Sequence, residues 1–321
     1  MVTGARVRAV AAVAALAATA ATAACTAQEP QGPGKESPTR HAAQGGNEST
    51  GPSVPRGMSL PLQGYSPTDW NVQDDDRARG ILLNRCLKRF GITAHEKDPA
   101  PIRQHVGPRT LVQVRYGTRD TTWAAEYGYW FPGQDAGRND PGRPASPEEG
   151  QVATGAVTTY KGTKVPDGGC MGEVARTLDG PGATNATYGE ALAAGNELNT
   201  ASFRSTRKEP AVRRAEQAWS RCMKDHGYRL PADIFSASSL ALGDADGSDT
   251  RPKPSPDSTE VKIAVADAAC VGESRVDLVW SRAESVYQRK RMAEDPAAWD
   301  RVKKVLDRHF SNVDLVLRGR K

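Results

Sequence analysis

Five cysteines carry the most distinctive chemistry of this 321-residue sequence, and four of them fall into two copies of one pattern. Residues 85–91 read RCLKRFG and residues 221–227 read RCMKDHG, while CMGE at 170–173 matches CVGE at 270–273. Cysteine sulfur can form a disulfide, bind a soft metal ion or carry an acyl chain. The repetition predicts a body of two related halves, each with its own pair of cysteines.

Four paired cysteines allow three connectivities, and sequence alone does not choose between them. We favour Cys86 with Cys170 and Cys222 with Cys270, because a duplication copies a self-contained unit. Closing loops of this length stabilises a chain by roughly 4–5 kcal/mol per bridge in the chain-entropy model. A metal site built from all four cysteines would need close pairs such as C-x2-C, which do not occur, so no metal or other cofactor is expected.

Cys25 is the odd cysteine, and it closes an apolar N-terminal stretch. Two arginines precede an uncharged run at 10–24, which suits a secretory signal and is too short to span a membrane. Residues 22–25, TAAC, resemble a bacterial lipobox, although Thr22 stands where Leu is usual. We therefore predict that Cys25 carries a diacylglycerol, with palmitate-type acyl chains as the anchor. The alternative is an ordinary signal cut after residue 23, which would leave Cys25 unmodified.

Composition divides the sequence into four segments. Residues 1–24 form the expected lipoprotein signal peptide, and residues 25–57 a tether too polar to bury the surface that folding requires. A flexible coil of this length reaches roughly 30 Å. The folded body then comprises a first helical half at 58–182 and a second at 183–321. The lipid anchor predicts a location on the outer face of the cytoplasmic membrane.

The elements that must position the cysteines are predicted to be mainly helical. Segments with apolar residues at a helical period are 74–91, 210–227, 259–270, 276–287 and 295–313. The first cysteine of each pair falls in the last turn of a helix, and the second at a break between helices. Leu111–Tyr116 reads as a strand of a short strand pair, and Thr122–Tyr129 as a further helix. Residues 133–150 and 236–258, rich in Gly, Pro or Asp, are expected to be long exposed loops.

Histidines and carboxylates provide no recognisable catalytic or metal-binding motif. His226 occupies the position of Phe90 in the other repeat, so we expect it to be partly buried, whereas His95 is expected on a solvated loop. Glu173 and Glu273 recur in both repeats; we interpret them as residues of a first helical turn, where acids are favourable, rather than as a catalytic pair. An acidic segment at 244–249 lacks the spacing of an EF-hand calcium loop.

An aromatic cluster at 123–131 is the remaining candidate for binding chemistry, because aromatic residues are only 6% of the sequence. Packing in the core of the first half is the favoured interpretation. The alternative is a groove for a glycan or peptide, since Trp and Tyr offer flat apolar faces with polar tips. The residues of this possible ligand groove are Trp123, Tyr127, Tyr129 and Trp130.

Positive charge is concentrated at the C-terminus, where residues 289–321 hold ten Lys or Arg and five Asp or Glu, a net charge of +5. A solvated helical face is the simpler interpretation. The alternative is contact with anionic envelope polymer or lipid through Arg289, Arg291, Lys303, Lys304, Arg308 and Arg318. Nucleic acid is a poor partner for an exported protein.

Several of these segments together resemble secreted lipoproteins of high-GC actinobacteria, a group without an assigned activity. The resemblance rests on the Ala-rich lipobox, the Pro-rich tether, RC[LM]KxxG, RYG with YGY, and AVADAAC at 264–270. It covers most of the body. It implies export and the disulfide pattern, and carries over no functional residue.

Taken together, the sequence predicts a non-enzymatic binding or interaction module of the cell envelope. The first alternative is an envelope hydrolase whose Asp or Glu residues are marked by no motif; it would need two carboxylates converging in a cleft. The second is a solute-binding component of a transporter, which would need two lobes of alternating strands and helices. The helical pattern argues against that second alternative.

Overall fold

The structure, a computed structural model, describes residues 51–93, 111–132, 146–243 and 252–321. These residues form mainly α-helices, as predicted, with a 3-10 helix at Pro61–Tyr65 and one antiparallel pair of strands, β1 (Thr159–Tyr160) and β2 (Thr163–Lys164). The helices are α1 (Asp69–Lys88), α2 (Leu111–Arg115), α3 (Thr121–Tyr127), α4 (Pro147–Thr154), α5 (Gly169–Asp179), α6 (Thr187–Thr206), α7 (Pro210–Asp225), α8 (Ser236–Leu242), α9 (Thr259–Ser274), α10 (Val276–Glu294) and α11 (Pro296–Leu317).

Several predictions fall on parts of the chain that the structure does not describe. These are the signal peptide, Cys25, the tether up to residue 50, His95 and the acidic segment at 244–249. Within the described ranges, we found no helix that is both long and apolar enough to cross a membrane.

Helix α1 begins earlier than the Asp74 start that its acidic run suggested. The Thr68 hydroxyl accepts from the Asn71 backbone N–H at 3.2 Å, and the Asn71 side chain accepts from the Thr68 N–H at 2.9 Å. This reciprocal cap satisfies two amides that a helix start leaves unpaired, so the helix begins at Asp69. The chain leaves the helix through Gly91, whose φ of +67° favours glycine.

Three local predictions are wrong. Leu111–Tyr116 is not a strand: Leu111–Arg115 form helix α2, and Val112 and Tyr116, four residues apart, are buried in the same core cluster. The predicted loop at 236–258 begins instead with helix α8, whose Ala237 is buried. The second cysteines do not lie at helix breaks either: Cys170 is the second residue of α5, and Cys270 lies well inside α9.

Both disulfides join the cysteines within one repeat, as predicted. Cys86 of α1 bonds to Cys170 of α5 with the Cα atoms 5.6 Å apart, and Cys222 of α7 bonds to Cys270 of α9 with the Cα atoms 5.5 Å apart. The second bridge lies in the largest core cluster, together with Trp219. The first lies in a smaller cluster. Each bridge therefore fixes one pair of helices at a buried face.

Each disulfide-linked pair of helices packs against a helix from the other part of the sequence. Helix α3, which precedes Cys170, packs on α9, while α11, the last helix, packs on both α1 and α5. Val313 and Val316 of α11 join a cluster with Ala78 and Leu178. The two predicted halves thus exchange helices within the described residues, and this exchange brings distant polar residues together.

Candidate functional site

The predicted aromatic site is assembled by α3 and the turn that follows it. Asp120 caps α3 by accepting from the Trp123 backbone N–H at 2.9 Å. The Trp123 and Tyr127 ring centroids lie 4.2 Å apart, and Tyr127 stacks with Trp130 at 6.0 Å. Trp123 and Trp130 are only 9% and 6% exposed, whereas Tyr127 is partly exposed. Lys253 lies 4.2 Å from the Tyr127 ring centroid and also pairs with Glu126.

Tyr129 is separated from this surface, because its hydroxyl points to a buried acid of α9. It donates to Asp267 Oδ2 at 2.9 Å, and Trp219 Nε1 of α7 donates to Asp267 Oδ1 at 2.8 Å. Burial raises the pKa of Asp267 to about 6, although the two hydrogen bonds act in the opposite direction. This contact joins three segments through one carboxyl group, and it makes Tyr129 a structural residue.

A second buried polar cluster lies at the junction of α1, α5 and α11, and the sequence analysis did not find it. His309 of α11 is completely buried. Its Nδ1 lies 2.6 Å from Asp179 Oδ1 and its Nε2 lies 2.8 Å from Asp75 Oδ1. The ring stacks on Tyr188 of α6 with centroids 3.7 Å apart. An imidazole can donate from both nitrogens only when it is protonated, so this geometry fits a cationic His309 between two carboxylates.

The pKa shifts follow from these contacts. Burial alone would lower the pKa of His309, but the hydrogen bonds to Asp179 and Asp75 outweigh it and raise the pKa above its usual value. Burial alone would raise the pKa of Asp75, but hydrogen bonds from His309 and Arg79 outweigh it and lower the pKa. The cluster is therefore a buried ion triad that requires its charges to be paired.

A third buried acid, Glu284 of α10, holds α2 and α6 in place. Arg115 Nε donates to both of its carboxylate oxygens, at 2.9 and 3.1 Å, and Arg115 Nη2 donates to the Asn199 carbonyl at 2.8 Å. Burial raises the pKa of Glu284, with Arg115 acting in the opposite direction. The carboxylate is fully buried. Like the triad, it joins helices through a buried ion pair.

A shallow surface depression lies within the described residues. It lies between residues 52–58 and α2, and it encloses about 220 Å³ including open solvent. Asp277 is the single acid in its lining. Arg119 binds both oxygens of this acid at 2.5 and 2.7 Å. The depression therefore presents one neutralised carboxylate rather than the two that glycoside hydrolysis requires.

Two predictions about residues near the disulfides are wrong. His226 is exposed rather than partly buried, because it ends α7 on the solvent side of the helix. Glu173 and Glu273 are not in a first helical turn: Glu173 is the fifth residue of α5 and pairs with Arg89 at 2.5 Å, while Glu273 is the penultimate residue of α9.

Most of the basic residues predicted at the C-terminus have partners. Arg291 pairs with Glu294, Lys303 with Asp307, and Arg318 with Asp314 at 2.9 Å. Arg308 donates to the Asp179 carbonyl at 3.2 Å, while Arg289 and Lys304 are exposed. Intrahelical pairing reduces the free positive charge that α11 and the end of α10 can offer to an anionic surface.

Comparison of the chain with protein-family models, with curated proteins and with solved structures found no match.

Proposed function

We propose that this protein is an exported lipoprotein, anchored on the outer face of the cytoplasmic membrane, whose body is a non-enzymatic binding module of the cell envelope. The observation that carries the proposal is the use of the cysteines. Four of the five are consumed by two disulfides within the body, which leaves Cys25 as the single remaining thiol. Disulfides persist outside the reducing cytoplasm, and Cys25 stands where an exported protein would be acylated.

The state of the buried acids supports a binding role over hydrolysis. Asp75 and Asp179 converge on one histidine, but the triad is buried and both ring nitrogens are engaged. Glu284 and Asp277 are held by arginines. Among the described residues, these carboxylates serve to join helices. The described residues are mainly helical and do not form the two lobes of alternating strands and helices that a solute-binding component of a transporter would use.

Membrane fractionation of the full chain tests the anchor. We expect the wild type in the membrane fraction, with an acylated N-terminal peptide in its mass spectrum, and the Cys25→Ala variant in the soluble fraction. Thr22→Leu is the matched control; it brings the TAAC segment closer to the usual lipobox and should leave the membrane fraction unchanged. Membrane retention of Cys25→Ala would overturn the proposed anchor.

Two surfaces are available for binding in this proposal. The partly exposed ring of Tyr127, beside Lys253, suits a glycan or peptide, and Arg289 and Lys304 suit anionic polymer or lipid. Binding of the protein to purified wall glycan and to anionic vesicles separates the two. Tyr127→Ala should weaken glycan binding, with Tyr287→Ala as control, whereas Arg289→Gln with Lys304→Gln should weaken vesicle binding. Unchanged binding in both assays would remove both surfaces from the proposal.

A further inference from the structure

Among the described residues, the second disulfide has a histidine beside it and the first disulfide does not. His226 follows Cys222 by four residues, at the end of α7, so the two side chains lie on the same side of the helix. The sulfurs of Cys222 and Cys270 and a ring nitrogen of His226 all lie within 4.8 Å of one another. Two cysteine sulfurs and one imidazole nitrogen are donors that Zn²⁺ prefers.

A carboxylate lies beside one sulfur of this group. Glu273 Oε2 lies 3.5 Å from Cys222 Sγ, and within the described ranges no basic side chain forms an ion pair with Glu273. Glu273 and His226 are both exposed, whereas the two cysteines are buried. The group is therefore open to solvent on its histidine and glutamate side. A cation could reach the sulfurs from that side without separating α7 from α9.

The first disulfide provides a comparison within the same chain. The residue that corresponds to His226 is Phe90, which is buried in the core beside Cys86. Arg89 Nη2 lies 3.1 Å from Cys86 Sγ and pairs with Glu173, the counterpart of Glu273. In the second repeat the residue corresponding to Arg89 is Asp225. The first repeat thus has the Arg89 guanidinium beside its disulfide, whereas the second repeat has the imidazole of His226 and the carboxylate of Glu273.

We propose that Cys222, Cys270, His226 and Glu273 form a redox-controlled site for a divalent cation of the zinc class. In the oxidised protein the sulfurs are bonded to each other at 1.99 Å and cannot serve as thiolates. A dithiol reductant supplies two electrons, the S–S bond breaks, two thiols form, and the reductant becomes a disulfide. The cation then displaces the two thiol protons to water and binds both sulfurs.

The geometry allows this change with little movement. Tetrahedral zinc with Zn–S bonds of about 2.3 Å separates two sulfurs by roughly 3.7 Å. In the oxidised protein the two sulfurs are bonded to each other, so they must move apart to reach this separation. Rotation of the two cysteine side chains supplies the distance, so α7 and α9 keep their positions. Trp219 and Asp267, one helical turn earlier on the same two helices, continue to hold them together.

Titration of the dithiol-reduced full chain with Co²⁺, followed by displacement with Zn²⁺, tests the site. We expect one equivalent of Co²⁺ per chain, with a thiolate-to-metal absorption band, and no binding to the oxidised chain. His226→Phe, which copies the first repeat, should weaken binding at least about tenfold, and Glu273→Gln should weaken it less. Glu173→Gln is the matched control and should bind as the wild type does.

Circular dichroism follows the fold during reduction, and peptide mapping follows the return of each disulfide in air. Zn²⁺ should slow the return of Cys222–Cys270 in the wild type and not in His226→Phe, and should leave Cys86–Cys170 unaffected. Equal cobalt affinity of His226→Phe and wild type would overturn the proposal. So would two equivalents of Co²⁺ per chain, or a reduced chain that unfolds and neither binds nor refolds with the metal.

Discussion

The helix pairs α1–α5 and α7–α9 carry the same cysteine pattern, yet the buried polar groups that join the two helices of each pair differ in charge. In the first pair, one aspartate from each helix binds His309 of α11. In the second pair, Asp267 of α9 accepts from the neutral donors Trp219 and Tyr129. The covalent link is common to both pairs, whereas the polar link is ionic in one and neutral in the other. The two regions should therefore respond differently to pH and to mutation.

Removal of either disulfide is expected to have the largest effect and to be similar in both regions. The loops that they close span 84 and 48 residues, for which the chain-entropy model gives about 4–5 kcal/mol each, with the longer loop slightly ahead. Urea unfolding of Cys86→Ala with Cys170→Ala, and separately of Cys222→Ala with Cys270→Ala, measures this. A loss of stability below about 1 kcal/mol in either variant would contradict the stabilisation expected for its disulfide.

Substitution of His309 should separate the two regions. His309→Leu leaves Asp75 and Asp179 buried without their cation, and removal of one partner from a buried ion pair costs about 3–5 kcal/mol. The raised pKa of His309 gives stability that is present below its unfolded pKa and is lost as pH rises through the folded value. The lowered pKa of Asp75 gives stability that is lost as pH falls through its folded value.

The free energy of unfolding should therefore favour the wild type over His309→Leu most strongly between about pH 4 and pH 6.5, the unfolded pKa values of Asp and His. Arg79, Asp76 and Tyr188 also lie near the triad, and all three stay unchanged in this comparison. His226→Leu, at an exposed histidine, is the control and should change stability by less than about 0.5 kcal/mol. A pH-independent difference would show that the triad is not ionic.

Asp267→Asn should alter the stability of the second region between about pH 4 and pH 6, where the His309 contribution is at its largest, with an effect of about 1–3 kcal/mol. Burial raises the pKa of Asp267 from 3.8 to about 6, so its contribution is present at low pH and is lost as pH rises through about 6. The asparagine oxygen can still accept from Trp219 without gaining a charge. The variant should gain stability relative to the wild type from pH 4 to pH 7, measured by urea unfolding. Parallel pH profiles of the wild type and the variant would show that Asp267 does not titrate between pH 4 and pH 7 in the folded protein.

The smallest effect is expected for the surface pair beside the first disulfide. Arg89 and Glu173 have side chains that are 50% and 37% exposed, and exposed ion pairs contribute about 0–1 kcal/mol. Arg89→Ala should therefore change the free energy of unfolding by less than about 1 kcal/mol, with the loss diminishing in 0.5 M salt. A larger, salt-independent loss would indicate that the guanidinium contributes through its contact with Cys86 instead.

The disulfide pairing and most helices could be predicted because their signals are local or repeated. Pro210 at the first position of α7 and Gly91 after α1 mark helix ends by their own backbone preferences. The strand prediction for Leu111–Tyr116 was wrong because a run of six residues rich in apolar side chains is compatible with a strand and with a short helix. Only packing shows which one forms, since it buries Val112 and Tyr116 together.

The His309 triad could not be predicted because its partners are far away in sequence. Asp75 and Asp179 lie 234 and 130 residues from His309, and neither forms a motif with it. The helical period of α11 places His309 among its apolar residues. That pattern predicts the burial of His309 correctly but gives no information about its charge. The prediction for His226 was wrong for a different reason. The matching position in the first repeat is Phe90, which suggested burial, but in the second repeat this position is exposed to solvent.

The exchange of helices between the two halves has a consequence for the order in which the protein folds. The pair α1–α5 lies at residues 69–88 and 169–179, whereas its packing partner α11 lies at residues 296–317. Contacts between such distant segments form late, because a long loop must close first. The packing of α1 and α5 is therefore completed only after α11 has been synthesised. A truncation that ends before α11 would expose the apolar face around Ala78 of α1 and Leu178 of α5.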